Sequence, residues 1–305
     1  MEARPRPRLS PGDRPDDQEG ASRARQWSRD NMTTFLELKN RYLVTCTLMS
    51  EANLHIGSGT EGAAADSGFV TRDGKPFIPG SSLRGVLRSH VERTLFALFP
   101  PPNRRSCCLF TEPGDEPPAN VCMAGHSQTR KKIESGKIRL APGELVLCPV
   151  CQLFGSTLMA GRLKVSDAVQ PAGREKLPVV RDGVGIDRDT ETAREKIKFN
   201  FELIDPGAGF EFQFLVENAG ASDFALLYIM LSELERGMDV GGMRNRGLGR
   251  VKLTGWSVAY FDLEEDPEGF RRYLADGTLK QMEPRAFQAR LRSSFEAMLS
   301  TNQHA

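Results

Sequence analysis

A single carboxylate, Asp66, stands in the small-residue run Ala63-Ala64-Ala65-Asp66-Ser67-Gly68. Downstream, Pro79-Gly80-Ser81-Ser82-Leu83-Arg84-Gly85-Val86-Leu87-Arg88 opens a helix on serines and carries Arg84 and Arg88 one turn apart. A helix start offers backbone N–H groups and the positive end of a dipole, where phosphate binds readily. Serine hydroxyls and arginines at that end extend the same surface, so this region reads as a cradle for a phosphate chain with one acid beside it. Taken alone, Asp66 reads rather as an ordinary turn residue, and the arginines as a solvated helix face.

A second such surface lies in Val240-Gly241-Gly242-Met243-Arg244-Asn245-Arg246-Gly247-Leu248-Gly249-Arg250. Glycines let backbone approach a ligand closely, and Arg244, Arg246 and Arg250 supply charge for a polyanion. No Lys-Ser or Lys-Thr follows the glycines, which excludes a Walker phosphate loop. Upstream, Gly57, Gly59 and Gly62 spell G-x-G-x-x-G after a strand. A dinucleotide fingerprint requires a helix immediately afterwards, and Ser67-Gly68 interrupts one. A nucleotide-cofactor enzyme using Gly57 to Gly62 is therefore the weaker alternative.

The cysteines suggest a different chemistry. Cys148-Pro149-Val150-Cys151 has the C-x-x-C spacing that lets two thiolates share a tetrahedral ion, and Cys107, Cys108 and Cys122 precede it in a Pro- and Gly-rich stretch. The expected ligand set for structural Zn²⁺ is Cys108, Cys122, Cys148 and Cys151, with Cys107 an alternate and His126 a substitute. A redox dithiol and incidental buried thiols are the competing readings.

Composition bounds these readings. The chain has 305 residues, 39% apolar and 27% charged, the balance of a globular protein with one large domain or two ordinary ones. A net charge of +1 means that any basic surface is local. No apolar run is long enough to cross a bilayer and no signal-peptide pattern opens the chain, so a cytoplasmic setting with reduced cysteines is expected. Residues 1–31 mix seven arginines with prolines and almost nothing apolar; disorder is expected there, either as a basic arm touching RNA or as an inert extension upstream of Met32.

The elements that must position these groups follow from periodicity. Arg41 to Ser50 alternates as a half-buried strand, and Phe69 to Thr71 with Asp73-Gly74 reads as a hairpin. Leu83, Val86, Leu87, Val91, Leu95 and Leu98 mark a helix over Ser82–Phe99, stopped by Pro100-Pro101-Pro102. Arg162 to Ala168 reads as a strand and Arg174 to Lys198 as a charged excursion. Phe199, Phe201 and Leu203, then Phe210, Phe212, Phe214 and Val216, suggest one antiparallel hairpin joined by Asp205 to Gly209. Its aromatic stripe belongs to the core rather than to a base-stacking platform, because no basic residues interleave. Ser222–Arg236 is a second amphipathic helix capped by Gly237, a strand runs on to about Phe261, and a charged tail is helical around Pro284–Leu299.

This order predicts an α+β fold, a ferredoxin-like or RRM-like β-α-β-β-α-β unit with insertions. At the level of motifs the chain resembles the crRNA-binding backbone subunits (Csm-type) of type III CRISPR effector complexes, members of the RAMP superfamily. The resemblance rests on Leu54-His55-Ile56-Gly57, Ile78 to Gly85, Ile186-Asp187-Arg188 with Thr190 and Ala193, Phe199-Asn200-Phe201-Glu202-Leu203, and Gly241-Gly242 to Gly249, occurring in the family's order between about Arg41 and Phe261.

What the resemblance implies is a palm over residues 32–261, with a zinc-knuckle-like insert at about 103–157, a thumb hairpin at about 174–198 and a helical tail at 262–305. It implies binding of crRNA and target RNA, assembly with other RAMP backbone subunits, self-copies and the large Cas subunit, and a role in antiviral defence. Asp66 matches the family's aspartate that promotes Mg²⁺-dependent cleavage of target RNA, so an endonuclease is implied, with a non-catalytic crRNA-binding scaffold as the alternative. His55, Ser81, Ser82, Arg84, Arg88, Arg188, Gly241, Gly242, Arg244, Asn245 and Arg246 match RNA-contacting positions. The cysteine-bearing insert departs from the commonest family pattern.

Overall fold

The long strands show why a sheet forms first. Along β1 (Asn40–Ser50) every second residue is buried, with Tyr42, Val44, Cys46 and Leu48 at 0% exposure. β8 (Gly209–Glu217) does the same with Phe210, Phe212, Phe214 and Val216, and β10 (Arg250–Asp262) buries Val251 and Leu253, then, past a register shift opposite Thr47 and Leu48, Val258 and Tyr260. Register places these side chains together: Val44 lies opposite Phe214 on one side and Val258 on the other. A period of two therefore builds one apolar face across three strands.

The chain is described by a computed structural model over residues 35, 37–59, 65–99, 122–125, 127–140 and 145–300. Cys107, Cys108, His126 and Gly62 lie outside these residues, as do residues 1–34 and so the expected N-terminal disorder. Among the described residues, the remaining elements are β2 (Thr71–Arg72), β3 (Lys75–Ile78), α1 (Gly80–Leu98), α2 (Ser127–Glu134), α3 (Pro149–Phe154), β4 (Leu163–Val165), β5 (Ala168–Val169), β6 (Val179–Ile186), β7 (Ala193–Leu203), α4 (Ala221–Arg236), β9 (Met238–Asp239), α5 (Pro267–Asp276), β11 (Lys280–Met282) and α6 (Pro284–Ser300). Two units are distinguished: Leu38–Val91 with Leu163–Ala305, which holds the sheet, and a second that includes Glu92–Arg162.

The sheet order is β11-β10-β1-β8-β5-β3-β2, with β4 beside β8 and β9 beside β10, and its strand pairings are antiparallel. This mixed α+β arrangement is compatible with the ferredoxin-like expectation. The apolar face is closed by α4 and α6. Tyr42 stacks on Tyr260 at 5.5 Å and meets Phe224 edge-on at 5.2 Å, and Phe287 lies over it at 5.9 Å. The Tyr42 hydroxyl donates to Asp262 at 2.9 Å, which satisfies a buried donor. Burial pushes the Tyr42 phenol and the Cys46 thiol well above their ordinary ranges, and Cys46 lies in the core at 0% exposure. The segment after Asp262 belongs to this architecture, since β11 pairs with β10 and α6 packs on α4.

One expected hairpin is not formed. β7 pairs with β6 in a separate two-stranded sheet, in which Phe199 faces Gly183 and Phe201 faces Arg181. β8 pairs with β1, β4 and β5 instead. The two aromatic runs serve different cores: Phe210, Phe212 and Phe214 face the helices, whereas Phe201 and Leu203 form a small cluster with Leu248. The connection is broken at Ile204, which exchanges both backbone hydrogen bonds with Leu54. The β6–β7 hairpin contains most of the predicted 174–198 excursion, but its second strand continues through Leu203. By contrast, the Asp73-Gly74 turn between β2 and β3 forms as expected, with φ of 52° and 74° at its two central residues.

Candidate functional site

Three segments converge on His55. The strand exit Asn53–Gly57 is held to the start of the β7–β8 link by the Leu54 and Ile204 exchange, and Asn53 Nδ2 donates to Asp205 at 3.0 Å. His55 is only 4% exposed. Its Nδ1 lies 2.5 Å from the Glu202 carbonyl oxygen and its Nε2 lies 3.3 Å from Ser67 Oγ. Its own carbonyl accepts from the Gly242 N–H at 2.9 Å. One side chain and its backbone thus join β7, the loop of Asp66 and the glycine turn.

The Asp66 loop runs beside β7. Ser67 forms a parallel bridge with Phe201, its N–H donating to the Asn200 carbonyl at 3.3 Å and its carbonyl accepting from Glu202 N–H at 3.0 Å. Asp66 and Asn200 bind reciprocally: Asp66 N–H donates to Asn200 Oδ1 at 2.7 Å, and Asn200 N–H donates to Asp66 Oδ2 at 2.8 Å. Phe69 N–H is taken by the Glu202 carboxylate at 2.7 Å. Asp66 itself is exposed. The stretch Ala65–Phe69 is therefore an extended segment ladder-bonded to β7, and it supplies no helix of the kind a dinucleotide fingerprint needs.

The glycine turn begins on β9 and ends on β10. Gly241 adopts φ +83°, and a Cβ there would fall inside contact of the His55 carbonyl oxygen. Met243 and Gly247, at φ 57° and 79°, flank a 3₁₀ turn over Arg244–Arg246. Residues Gly241 to Arg246 line an open hollow of about 440 Å³, and Arg244, Asn245 and Arg246 are exposed around it. The Arg246 guanidinium lies 5.4 Å from the Phe199 ring centroid, a cation–π contact that ties the turn to the β6–β7 hairpin. Phe199 precedes Asn200, so β7 carries both the ring that meets Arg246 and the partner of Asp66. Arg250 has another role: it donates to the Arg236 carbonyl at 2.9 Å and lies 3.8 Å from both Glu51 and Asp239.

The start of α1 is already occupied by an anion. Gly80 N–H donates to Asp167 Oδ1 at 2.7 Å, and Arg72 pairs with the same carboxylate. The Gly80 N–H first, and then Arg72, hold Asp167 below its ordinary 3.8. The expectation of unpaired donors at this helix end is thus corrected at its first residue, because a protein carboxylate from the β4–β5 turn sits where an external anion would. Ser82 N–H is bonded to the Pro79 carbonyl at 2.9 Å. Ser81 is exposed, while Ser82, Arg84 and Arg88 are half-buried. Burial, and then the like charge of Arg88, lower the Arg84 guanidinium below its ordinary range. Arg188 is exposed at the tip of the β6–β7 hairpin, in a turn where Asp187 accepts from Asp189 and Thr190 N–H at 3.0 and 3.2 Å.

In the unit that includes Glu92–Arg162, the sulfurs of Cys122, Cys148 and Cys151 lie within 4.8 Å of one another. Cys148 caps α3, its Sγ accepting from Cys151 N–H at 3.5 Å, and Pro149 begins the helix where no N–H is needed. Cys122 opens a tight turn closed by Gly125 N–H at 3.0 Å. Arg162 and Gln152, both 2% exposed, are bonded at 3.2 Å, and Gln152 Nε2 donates to the Leu147 carbonyl at 2.9 Å, which fixes the segment entering the C-x-x-C turn. Three converging thiols, drawn from segments with a small cluster of their own around Ala124 and Leu147, suit a zinc ion. The fourth expected ligand, Cys108 or Cys107 with His126 as substitute, lies outside the described residues.

Asn200, Glu202 and Asp167 were not singled out from sequence. The first two are hidden in an alternating strand pattern, where Asn and Glu read as solvent-facing positions, and Asp167 lies within the run Arg162 to Ala168 that reads as one strand but breaks into β4 and β5 around it.

Comparison with curated proteins finds no match. Among the described residues no helix is long and apolar enough to cross a membrane. Residues 47–252 match the model of the RAMP superfamily, a span that begins within β1, includes Asp66, both hairpins and the glycine turn, and ends within β10. More than half of the chain is matched in this way, and it carries the site just described, so the protein belongs to the RAMP superfamily.

Proposed function

We propose that the protein is a backbone subunit of a type III CRISPR effector complex that binds crRNA along its glycine turn and the serine and arginine side chains of α1, and cleaves complementary target RNA at Asp66. The main sheet serves as the palm and the β6–β7 hairpin as the thumb. The observation that carries this reading is that one strand, β7, holds both parts: Asn200 binds the exposed Asp66 carboxylate, and the neighbouring Phe199 meets Arg246 of the glycine-lined hollow.

Gly241 and Gly242 allow a ribose-phosphate backbone to approach the main chain, while Arg244, Asn245 and Arg246 meet its phosphates; Ser81, Ser82, Arg84 and Arg88 hold the guide further along, and Arg188 reaches it from the hairpin tip. RNA brings its own nucleophile, a 2′-hydroxyl, so the protein's task is to hold the backbone in line for attack. Among the described residues only Oδ2 of Asp66 is engaged, and Asp66 belongs to no cluster of three metal-ligating side chains. Such a carboxylate fits a hydrated Mg²⁺ bound mostly by water and RNA oxygens, and that ion supplies charge neutralisation at the phosphate. Zn²⁺ at Cys122, Cys148 and Cys151, completed by Cys108 or Cys107, holds the insert. The subunit works alongside self-copies, other RAMP subunits and the large Cas subunit.

The test is the Asp66→Ala variant in the RNA-loaded complex. Cleavage of target RNA is expected to disappear while crRNA content and target affinity stay within twofold. Unchanged cleavage overturns the catalytic assignment and leaves the scaffold reading; loss of crRNA from the variant overturns the catalytic assignment in favour of a binding or folding role, and absence of crRNA from the wild-type complex overturns both.

A further inference from the structure

His55 matches a family position expected to contact RNA, yet its ring is buried and both its nitrogens face protein groups. The Glu202 carbonyl can only accept, so Nδ1 carries the proton toward it. In the neutral ring Nε2 is then an acceptor, and the group 3.3 Å away is the Ser67 hydroxyl, which donates. The tautomer is set by one partner and used on the other, as with histidines that orient a reacting group. A Cβ at Gly57 would stand 3.5 Å from Nε2 and 3.8 Å from Ser67 Oγ, and one at Gly242 would stand 3.3 Å from the His55 ring. The ring is thus packed between the two glycine segments.

Resting on the catalytic reading of Asp66, we propose that His55 is a positioning residue: it clamps Ser67, and through Ser67 it sets the Asp66 carboxylate against the target backbone. Asp66 is secured on its other side by Asn200, from the same strand whose Glu202 carbonyl holds the ring. The loop is tied to β7 by the backbone of Ser67, by the Asp66–Asn200 pair and by Phe69 N–H, and the imidazole adds the hold on the Ser67 side chain. Removing that hold leaves the backbone ties in place and Asp66 present but less tightly aimed. A misplacement of about 1 Å can cost on the order of 100-fold in rate.

The experiment compares Ser67→Ala, Ser67→Thr, His55→Asn and Asp66→Ala in the RNA-loaded complex, by single-turnover cleavage across target concentration. Ser67→Ala removes one hydroxyl from a half-buried position and keeps the fold testable. His55→Asn keeps a donor for the Glu202 carbonyl but not the reach to Ser67. Ser67→Ala and His55→Asn are expected to lower the saturating rate about 10- to 100-fold with half-saturation within twofold, and Ser67→Thr to restore most of the rate. Cleavage by Ser67→Ala at the wild-type rate, with Asp66→Ala inactive, overturns the positioning role alone. Weaker target binding at an unchanged saturating rate also overturns it, since His55 would then act as an RNA contact. Wild-type cleavage by Asp66→Ala overturns the reading on which the proposal rests.

Discussion

Replacing Gly241 by alanine separates two costs that glycine avoids at the turn. The first is conformational: at φ +83° an L side chain costs roughly 1–2 kcal/mol. The second is steric. The added Cβ would overlap the His55 carbonyl oxygen, lie 2.7 Å from Ile56 Cδ1 and stand 3.2 Å from the His55 carbonyl carbon. Backbone cannot swing aside as a side chain can, so the His55 carbonyl must move, and the 2.9 Å hydrogen bond from Gly242 N–H lengthens or breaks. That adds a further loss of about 1 kcal/mol, which makes Gly241→Ala destabilising by roughly 2–3 kcal/mol. Gly247 is the internal control, because it has φ +79° and nothing within 4 Å of a Cβ, and so carries the conformational cost alone. Scanning calorimetry of the two variants should place Gly241→Ala below Gly247→Ala by about 1–2 °C for a chain of this size. Guide RNA affinity should fall further in Gly241→Ala as well, since the displaced carbonyl bonds Gly242, which lines the hollow. Equal melting temperatures, or a larger loss in Gly247→Ala, would refute the argument that close approach to His55 selects glycine at position 241.

Two further outcomes follow from the geometry. Asp167→Ala removes the acceptor at the start of α1 and should cost about 0.5–2 kcal/mol, as loss of a helix cap does; because the folded carboxyl is held below 3.8, its contribution is present above that pH and lost as pH falls through the lower folded value, so the variant should also flatten the acid limb of stability against pH. Cys151→Ser should abolish the one bound zinc proposed per chain, measured by elemental analysis of the purified complex, and chelation of the wild type should raise protease sensitivity within Glu92–Arg162 while the sheet unit stays resistant.

Much of the fold was legible because its signals are local. The alternation of Tyr42, Val44, Cys46 and Leu48, the 3.6-residue spacing of Leu83, Leu87, Val91 and Leu95, and the Asp73-Gly74 turn each specify an element without reference to distant residues. The Cys148–Cys151 spacing and the glycine turn were legible for the same reason, since a C-x-x-C turn and runs of positive φ are properties of a few adjacent residues.

Partner choice was not local. Phe199, Phe201 and Leu203 alternate just as Phe210, Phe212 and Phe214 do, and period two says nothing about which strand lies alongside. Only the tertiary structure placed the first run on β6 and the second on β1, because two separate cores, one around Leu248 and one beneath α4 and α6, divide the aromatics between them. The same division put Asn200 against Asp66, His55 between Glu202 and Ser67, and Asp167 on the Gly80 N–H. The sequence by itself named the acid, the glycines and the thiols. How the acid is aimed was decided by hydrogen bonds between residues more than a hundred positions apart, whose formation depends on burial of the whole sheet.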